Sequence, residues 1–290
     1  MRQALKTQWY LMLRTIEFKL AFSLVTALTL FSYLSEVVSC WGAEISTIKT
    51  ASDQVAISAY GGVSTYLVYL LCFAIVLPFS LSYVVDRENQ ATVFFLSRSD
   101  KKTYLRAKMS MCFIGGAILV ALPLLVNLFL CAVTFPDTHT YYIGSYGTGN
   151  YARSLTGTNQ LYSSVHPSIS FLKVYLWNPW LYHLLYVFLL SAFCGLLSMT
   201  VLAFSFFFSR HKIFLFLPVY VFIRIFKVVD SFLFSRAMAG TGRYVNCSIM
   251  EYFLSFGFPG QSIWVIGTVI AALLIFCWLA CRYAAGREWL

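Results

Sequence analysis

The chain has 290 residues, of which 60% are hydrophobic and 11% are charged, whereas soluble domains average about 45–50% apolar and about 25% charged residues. The formal net charge is +10, but the basic residues lie beside apolar blocks rather than in a separate basic domain, which argues against nucleic-acid binding. The composition excludes an ordinary soluble domain and predicts an all-α integral membrane protein, because the apolar blocks are long enough to cross a hydrocarbon layer of about 30 Å.

The amino-terminal segment, residues 1–19, has the pattern of an amphipathic helix. Leu5, Trp9 and Met12 recur three or four residues apart, while Arg2 and Lys6 fall on other faces. Such a helix lies along the membrane surface and leads the chain into the bilayer.

Six apolar blocks follow, each of about the length that one transmembrane helix needs. The polar stretch between the first two blocks is expected to be a short exposed loop. Residues 135–179 are rich in Gly, Tyr, Ser and Thr, which favours a large external loop. The predicted spans are residues 20–38, 63–85, 109–134, 180–209, 213–234 and 263–281.

Residues 86–108, between the second and third spans, form the most densely charged segment and are expected to lie in water or among lipid headgroups. Basic residues are retained in the cytoplasm during membrane insertion. Together with residues 1–19, 210–212 and 282–287, this segment carries fourteen of the 21 Lys and Arg residues. Both termini are therefore predicted to be cytoplasmic.

Three charged residues, Arg224, Lys227 and Asp230, interrupt the fifth block, and charges inside a membrane are costly unless they face a partner or a wet cavity. In one interpretation Lys227 pairs with Asp230 at i,i+3 and the helix ends early. In the other, Arg224 and Lys227 line a cargo pathway that attracts anionic or amphipathic cargo. We take all three residues as candidate pathway residues.

Glycine and proline residues interrupt residues 230–261, just before the last span. This pattern predicts short re-entrant or interfacial helices, which require protein or a cavity to satisfy their backbone at membrane depth. An ordinary external loop is the alternative.

The sequence contains no phosphate-binding G-x-x-x-x-G-K-[ST] loop and no HExxH or GxSxG motif, so no nucleotide site, metal site or catalytic residue is predicted. The eight cysteines show no CxxC or metal-ligand spacing and are interpreted as small core residues. Whether Cys40 and Cys247 form a disulfide is left open.

The order of these features resembles the permease subunit of a type 2 ABC exporter over essentially the whole chain. The most specific match lies in residues 86–108, where an acidic start containing Glu88 precedes the apolar pair Phe95-Leu96 and Lys108 leads into the third span. Ala91 stands where that family usually has glycine, and Arg98 or Ser99 where it usually has proline.

The resemblance implies that residues 86–108 contain a coupling helix, which docks with the amino-terminal elbow helix on a separate ATPase subunit. An amphipathic helix can pack its apolar face into a groove on such a partner, whereas a helix that touches only lipid is the alternative. The implied apolar anchors are Phe94, Phe95 and Leu96, and the implied polar rim is Asp86, Arg87, Glu88 and Lys101.

The implied function is export of a hydrophobic or amphipathic cargo, such as a peptide, toxin or drug-like compound, across the cell membrane. Two ATPase subunits would bind the ATP and Mg²⁺, and a second permease, identical or related, would complete the pore. The alternative is a membrane-embedded lipid-handling enzyme or an accessory sensor, which would need converging acids, histidines or a nucleophile within the spans. Ion-coupled transport by one chain would favour broken helices in both halves.

Overall fold

A computed structural model of the chain describes residues 2–44, 51–58, 70–71, 73–75, 80, 82–89, 100–136, 140–144, 150–154, 171–207, 215, 217–238, 246–255 and 263–286. The helices are α1 (Arg2–Arg14), α2 (Ile16–Ser39), α3 (Ser82–Glu88), α4 (Lys101–Thr134), α5 (Leu172–Trp177), α6 (Pro179–Ser205), α7 (Leu217–Met238) and α8 (Ile263–Gly286), with 3₁₀ helices at Ala51–Gln54 and Ile249–Phe253. A hairpin of β1 (Thr140–Gly144) and β2 (Asn150–Ser154) lies within the predicted external loop.

Within this described part of the chain, four helices are long and apolar enough to cross a membrane: α2, α4, α6 and α8. They indicate a membrane protein, and they coincide with the first, third, fourth and sixth predicted spans. The second predicted span, residues 63–85, lies largely outside the described residues. The fifth forms α7, whose three central charges distinguish it from the other four. Four of the six predicted spans therefore have matching helices.

The amino-terminal helix is shorter than the sequence predicted. α1 ends at Arg14 and α2 begins at Ile16, because Thr15 between them has an extended backbone with φ −64° and ψ 138°. The Thr15 hydroxyl donates to the carbonyl of Met12 at 2.7 Å, which satisfies one of the carbonyls left over at the end of α1. Met12 is fully buried, so α1 is held against α4 at its apolar face.

The centre of the fold is the crossing of α4 and α6. α6 is apolar on all sides and most of it is buried, as is typical of a helix surrounded by others. A Cβ atom on Gly116 would lie 3.1 Å from the Cα of Gly195, and one on Gly195 would lie 2.5 Å from the carbonyl oxygen of Phe113. Glycine is therefore required at this crossing, because small residues let helix backbones approach closely.

Two irregular segments, residues 51–58 and 246–255, pack together inside the protein. The backbone N–H of Ser255 donates to the carbonyl of Ile57 at 3.0 Å, and the Asn127 side chain of α4 accepts from the N–H of Ala56 at 3.0 Å. The prediction of an exposed loop after the first span is therefore wrong for residues 51–52 and 54–58, which are buried. Several of their backbone groups hydrogen-bond to other parts of the protein, which buried irregular structure requires.

Candidate functional site

The predicted coupling residues lie on two helices. Asp86, Arg87 and Glu88 form the last turn of α3, and Lys101 is the first residue of α4. Arg87 and Glu88 are exposed, whereas Asp86 is partly buried. The predicted apolar anchors, Phe94, Phe95 and Leu96, lie outside the described residues.

Asp86, Tyr104 and Lys108 form a hydrogen-bonded triad that we call the anchor cluster. The Tyr104 hydroxyl donates to Oδ2 of Asp86 at 2.7 Å. Lys108 Nζ donates to the same carboxylate oxygen and, at 2.9 Å, to the hydroxyl of Tyr104. Each of the three polar groups therefore contacts the other two, and the cluster ties α3 directly to α4.

Aromatic rings lie beside the anchor cluster. Lys108 Nζ lies 5.9 Å from the ring centroid of Tyr83, and the Tyr83 ring meets that of Phe206 edge to face at 4.9 Å. The Lys108 side chain is 0% exposed and that of Asp86 is 19% exposed. The prediction that the charged segment lies in water or among headgroups is therefore wrong for Lys108, because Asp86 supplies a countercharge inside the protein.

The burial of this ion pair makes the link between α3 and α4 specific. Removing one partner from a buried pair leaves an uncompensated charge and costs about 3–5 kcal/mol. Sliding α3 along α4 would have the same effect, because the Lys108 ammonium would lose its carboxylate. The exposed tip of α3 is thus fixed to a helix of 34 residues, which is about 51 Å long.

A second polar cluster joins α7 to residues 246–251. Lys227 forms an ion pair with Glu251, whose other carboxylate oxygen accepts from Asn246 Nδ2 at 3.2 Å. Asp230 accepts from the backbone N–H of Cys247 at 2.8 Å. Lys227 thus pairs with Glu251, a contact that the i,i+3 spacing to Asp230 did not predict.

The third candidate pathway residue, Arg224, is placed differently. It is exposed on α7, one turn before the exposed Val228 and beside the exposed Ile225. Among the described residues, Arg224 has no ion pair or side-chain hydrogen bond. Two of the three central charges of α7 therefore contact residues 246–251, and the third lies on an exposed apolar face.

The described cysteines are present as thiols rather than as disulfides. Cys40, whose pairing with Cys247 was left open, accepts a hydrogen bond from Gln54 Nε2 at 3.6 Å. Both the burial of the Cys247 thiol and the nearby Asp230 carboxylate raise the pKa of this thiol. Across the described ranges, no group of three or more His, Cys, Asp or Glu side chains could hold a metal ion.

Sequence reasoning missed Tyr104, Lys108, Asn246 and Glu251 as members of these clusters. Tyr104 and Lys108 lie four residues apart, so they share a helix face, and this spacing could have indicated a common partner. Glu251 follows Lys227 by 24 residues, across glycine-rich sequence, and no local pattern connects the two.

The sequence matches no protein-family model, and comparisons with curated proteins and with solved structures give no match. The resemblance to type 2 ABC permeases therefore depends on the features named above.

Proposed function

We propose that the chain is the permease subunit of an ATP-driven exporter of the ABC type, energised by two separate ATPase subunits that bind ATP and Mg²⁺. A second permease, identical or related, completes the translocation pathway. The protein resides in the cell membrane with both termini in the cytoplasm, and its cargo is hydrophobic or amphipathic.

The observation that carries this proposal is the anchor cluster. An exporter driven by a separate ATPase needs a rigid connection from an exposed docking element to the membrane helices. Asp86 lies next to the exposed Arg87 and Glu88 and is bonded to Lys108 of α4. A displacement of the tip of α3 would therefore be transmitted to α4 and, through the tight crossing at Gly116 and Gly195, to α6.

The position of Arg224 supports a cargo pathway along α7. A cation on an apolar helix face is costly in lipid, and it becomes favourable beside a wet cavity or an anionic group. Lys227 is paired within the chain and Arg236 lies over the ring of Phe232, so Arg224 is the described central cation of α7 that is available to attract a negative or amphipathic cargo. Arg224 takes the role that the sequence had assigned jointly to Arg224 and Lys227.

The test is purification of the tagged full-length chain from its native membranes. We expect an ATP-hydrolysing subunit to copurify, and we expect Glu88→Arg to reduce both the amount recovered and the ATP hydrolysis. Glu44→Arg is the matched control, since Glu44 is also an exposed glutamate but lies after α2, far along the chain from α3. Equal recovery in both variants, or no ATPase with the unmodified chain, would contradict the proposal.

A further inference from the structure

A groove of about 490 Å³ opens between α4 and α8, where Met199 of α6 also lines it. α4 contributes Met109, Ser110, Phe113 and Ile114 to its walls, which lie three and four residues apart and so share one helix face. Its lining residues belong neither to the anchor cluster nor to α7. The groove is thus a separate feature of the surface.

The α8 wall of the groove is also apolar. Leu274 and Trp278 line it, and both are about half exposed. Since α8 is one of the helices suited to crossing a membrane, we expect the open side of this wall to face lipid. The groove therefore offers apolar walls to a chain that lies along the helices.

One end of the groove is basic. Arg106 is the lining residue closest to the start of α4, and it is exposed. The guanidinium of Arg282 stacks on the ring of Trp278 at 4.3 Å and places a second cation beside the groove. No described carboxylate forms an ion pair with Arg106, so the charge at this end is available to an anion.

We propose that this groove binds an anionic phospholipid, with one acyl chain along the apolar walls and the phosphate at Arg106. Arginine binds phosphate oxygens through paired N–H groups, and basic pockets between transmembrane helices suit acidic lipid headgroups. A second copy of the chain fits less well, because the protein has only 11 acidic residues against 21 basic ones. The site is independent of the proposed export function.

The experiment uses the full-length protein in nanodiscs of phosphatidylcholine that contain a fixed fraction of lipid with brominated acyl chains, which quench nearby tryptophan. The signal of Trp278 is the difference between the protein and its Trp278→Phe variant. We expect brominated phosphatidylglycerol to quench this signal more strongly than brominated phosphatidylcholine at the same fraction. Arg106→Gln should weaken the preference for phosphatidylglycerol about tenfold, the size of effect that a charge-assisted contact supplies.

Lys19→Gln is the matched control, since Lys19 is an exposed cation near the start of α2 and does not line the groove. It should leave the preference unchanged. Ser110→Phe, which fills the groove without changing its charge, should reduce quenching by both lipids and tests the site even if Arg106→Gln fails to fold. Equal quenching by both lipids in the unmodified protein would mean that Trp278 contacts only bulk lipid. No quenching by either lipid would mean that protein covers the groove. Either result overturns the proposal.

Discussion

The ammonium group of Lys108 is fully buried and donates to the carboxylate of Asp86, which lies 22 residues earlier in the chain. The contact joins the end of α3 to α4. Part of residues 86–108, which the sequence predicts to be a solvated docking element, thus has the structural role of joining α3 to α4. Arg87 and Glu88 are exposed beside this contact.

Replacing one member of this pair should destabilise the protein strongly. We expect Asp86→Asn to lower the free energy of unfolding by about 3–5 kcal/mol, because it leaves the buried Lys108 ammonium without its countercharge, and Lys108→Met to cost less, because the Asp86 carboxylate is partly exposed. The double variant should be less destabilised than the sum of the two single variants. Thermal unfolding in detergent, followed by helix content, measures both effects, and additive losses would show that the pair is not coupled.

The glycine at the crossing of α4 and α6 should tolerate no side chain. Gly195→Ala places a methyl group 2.5 Å from the carbonyl oxygen of Phe113, and we expect it to cost about 1–3 kcal/mol through overpacking. Gly267→Ala is the control within another apolar helix, where the new methyl would meet no atom within 4 Å. Its unfolding free energy should change by less than about 1 kcal/mol. A similar loss in both variants would contradict the tight crossing.

If Arg224 lines a wet pathway, water-soluble reagents should reach its position. We expect Arg224→Cys to react with a charged, water-soluble methanethiosulfonate in native membranes, because the reagent requires a hydrated thiolate. Phe129→Cys is the control on an exposed apolar face of α4 and should remain unmodified. Peptide-resolved mass spectrometry measures both positions, and equal protection of the two would argue that Arg224 faces lipid or protein.

The labelling of Cys247 should depend on pH in a defined direction. Its raised pKa means that less thiolate is present at a given pH than for an ordinary cysteine, and the thiolate is the reactive form. Maleimide labelling of Cys247 should therefore require a higher pH than labelling of a free peptide thiol. Asp230→Asn keeps an oxygen for the Cys247 N–H but removes the charge, and it should shift the labelling profile to lower pH; an unchanged profile would exclude an effect of Asp230.

The apolar runs predicted much of the fold, because a continuous block of about 20 apolar residues has few alternatives to a membrane-crossing helix. α2, α4, α6 and α8 follow from this argument. The break at Thr15 did not, since threonine is compatible with a continuous helix and only the local backbone geometry shows the change in direction.

The polar contacts of the candidate site were less predictable. The charged neighbours of Lys108 in sequence predict a solvated side chain. In the structure, the surroundings of this side chain are Asp86 and the rings of Tyr83 and Tyr104. For Lys227 the sequence suggests Asp230, the acid nearest along the chain, whereas the fold also brings Glu251 into an ion pair with it. Local spacing describes one helix face well, but it does not specify which distant segment covers that face.

The central claim is that the exposed tip of α3 contacts an ATPase subunit, and site-specific photocrosslinking in native membranes tests it most directly. A photoreactive amino acid is placed at Glu88 and, as a control, at Glu44. We expect the position 88 probe to form a crosslink to an ATP-hydrolysing protein, and the position 44 probe to form none. Crosslinks from position 88 to lipid alone would contradict the account.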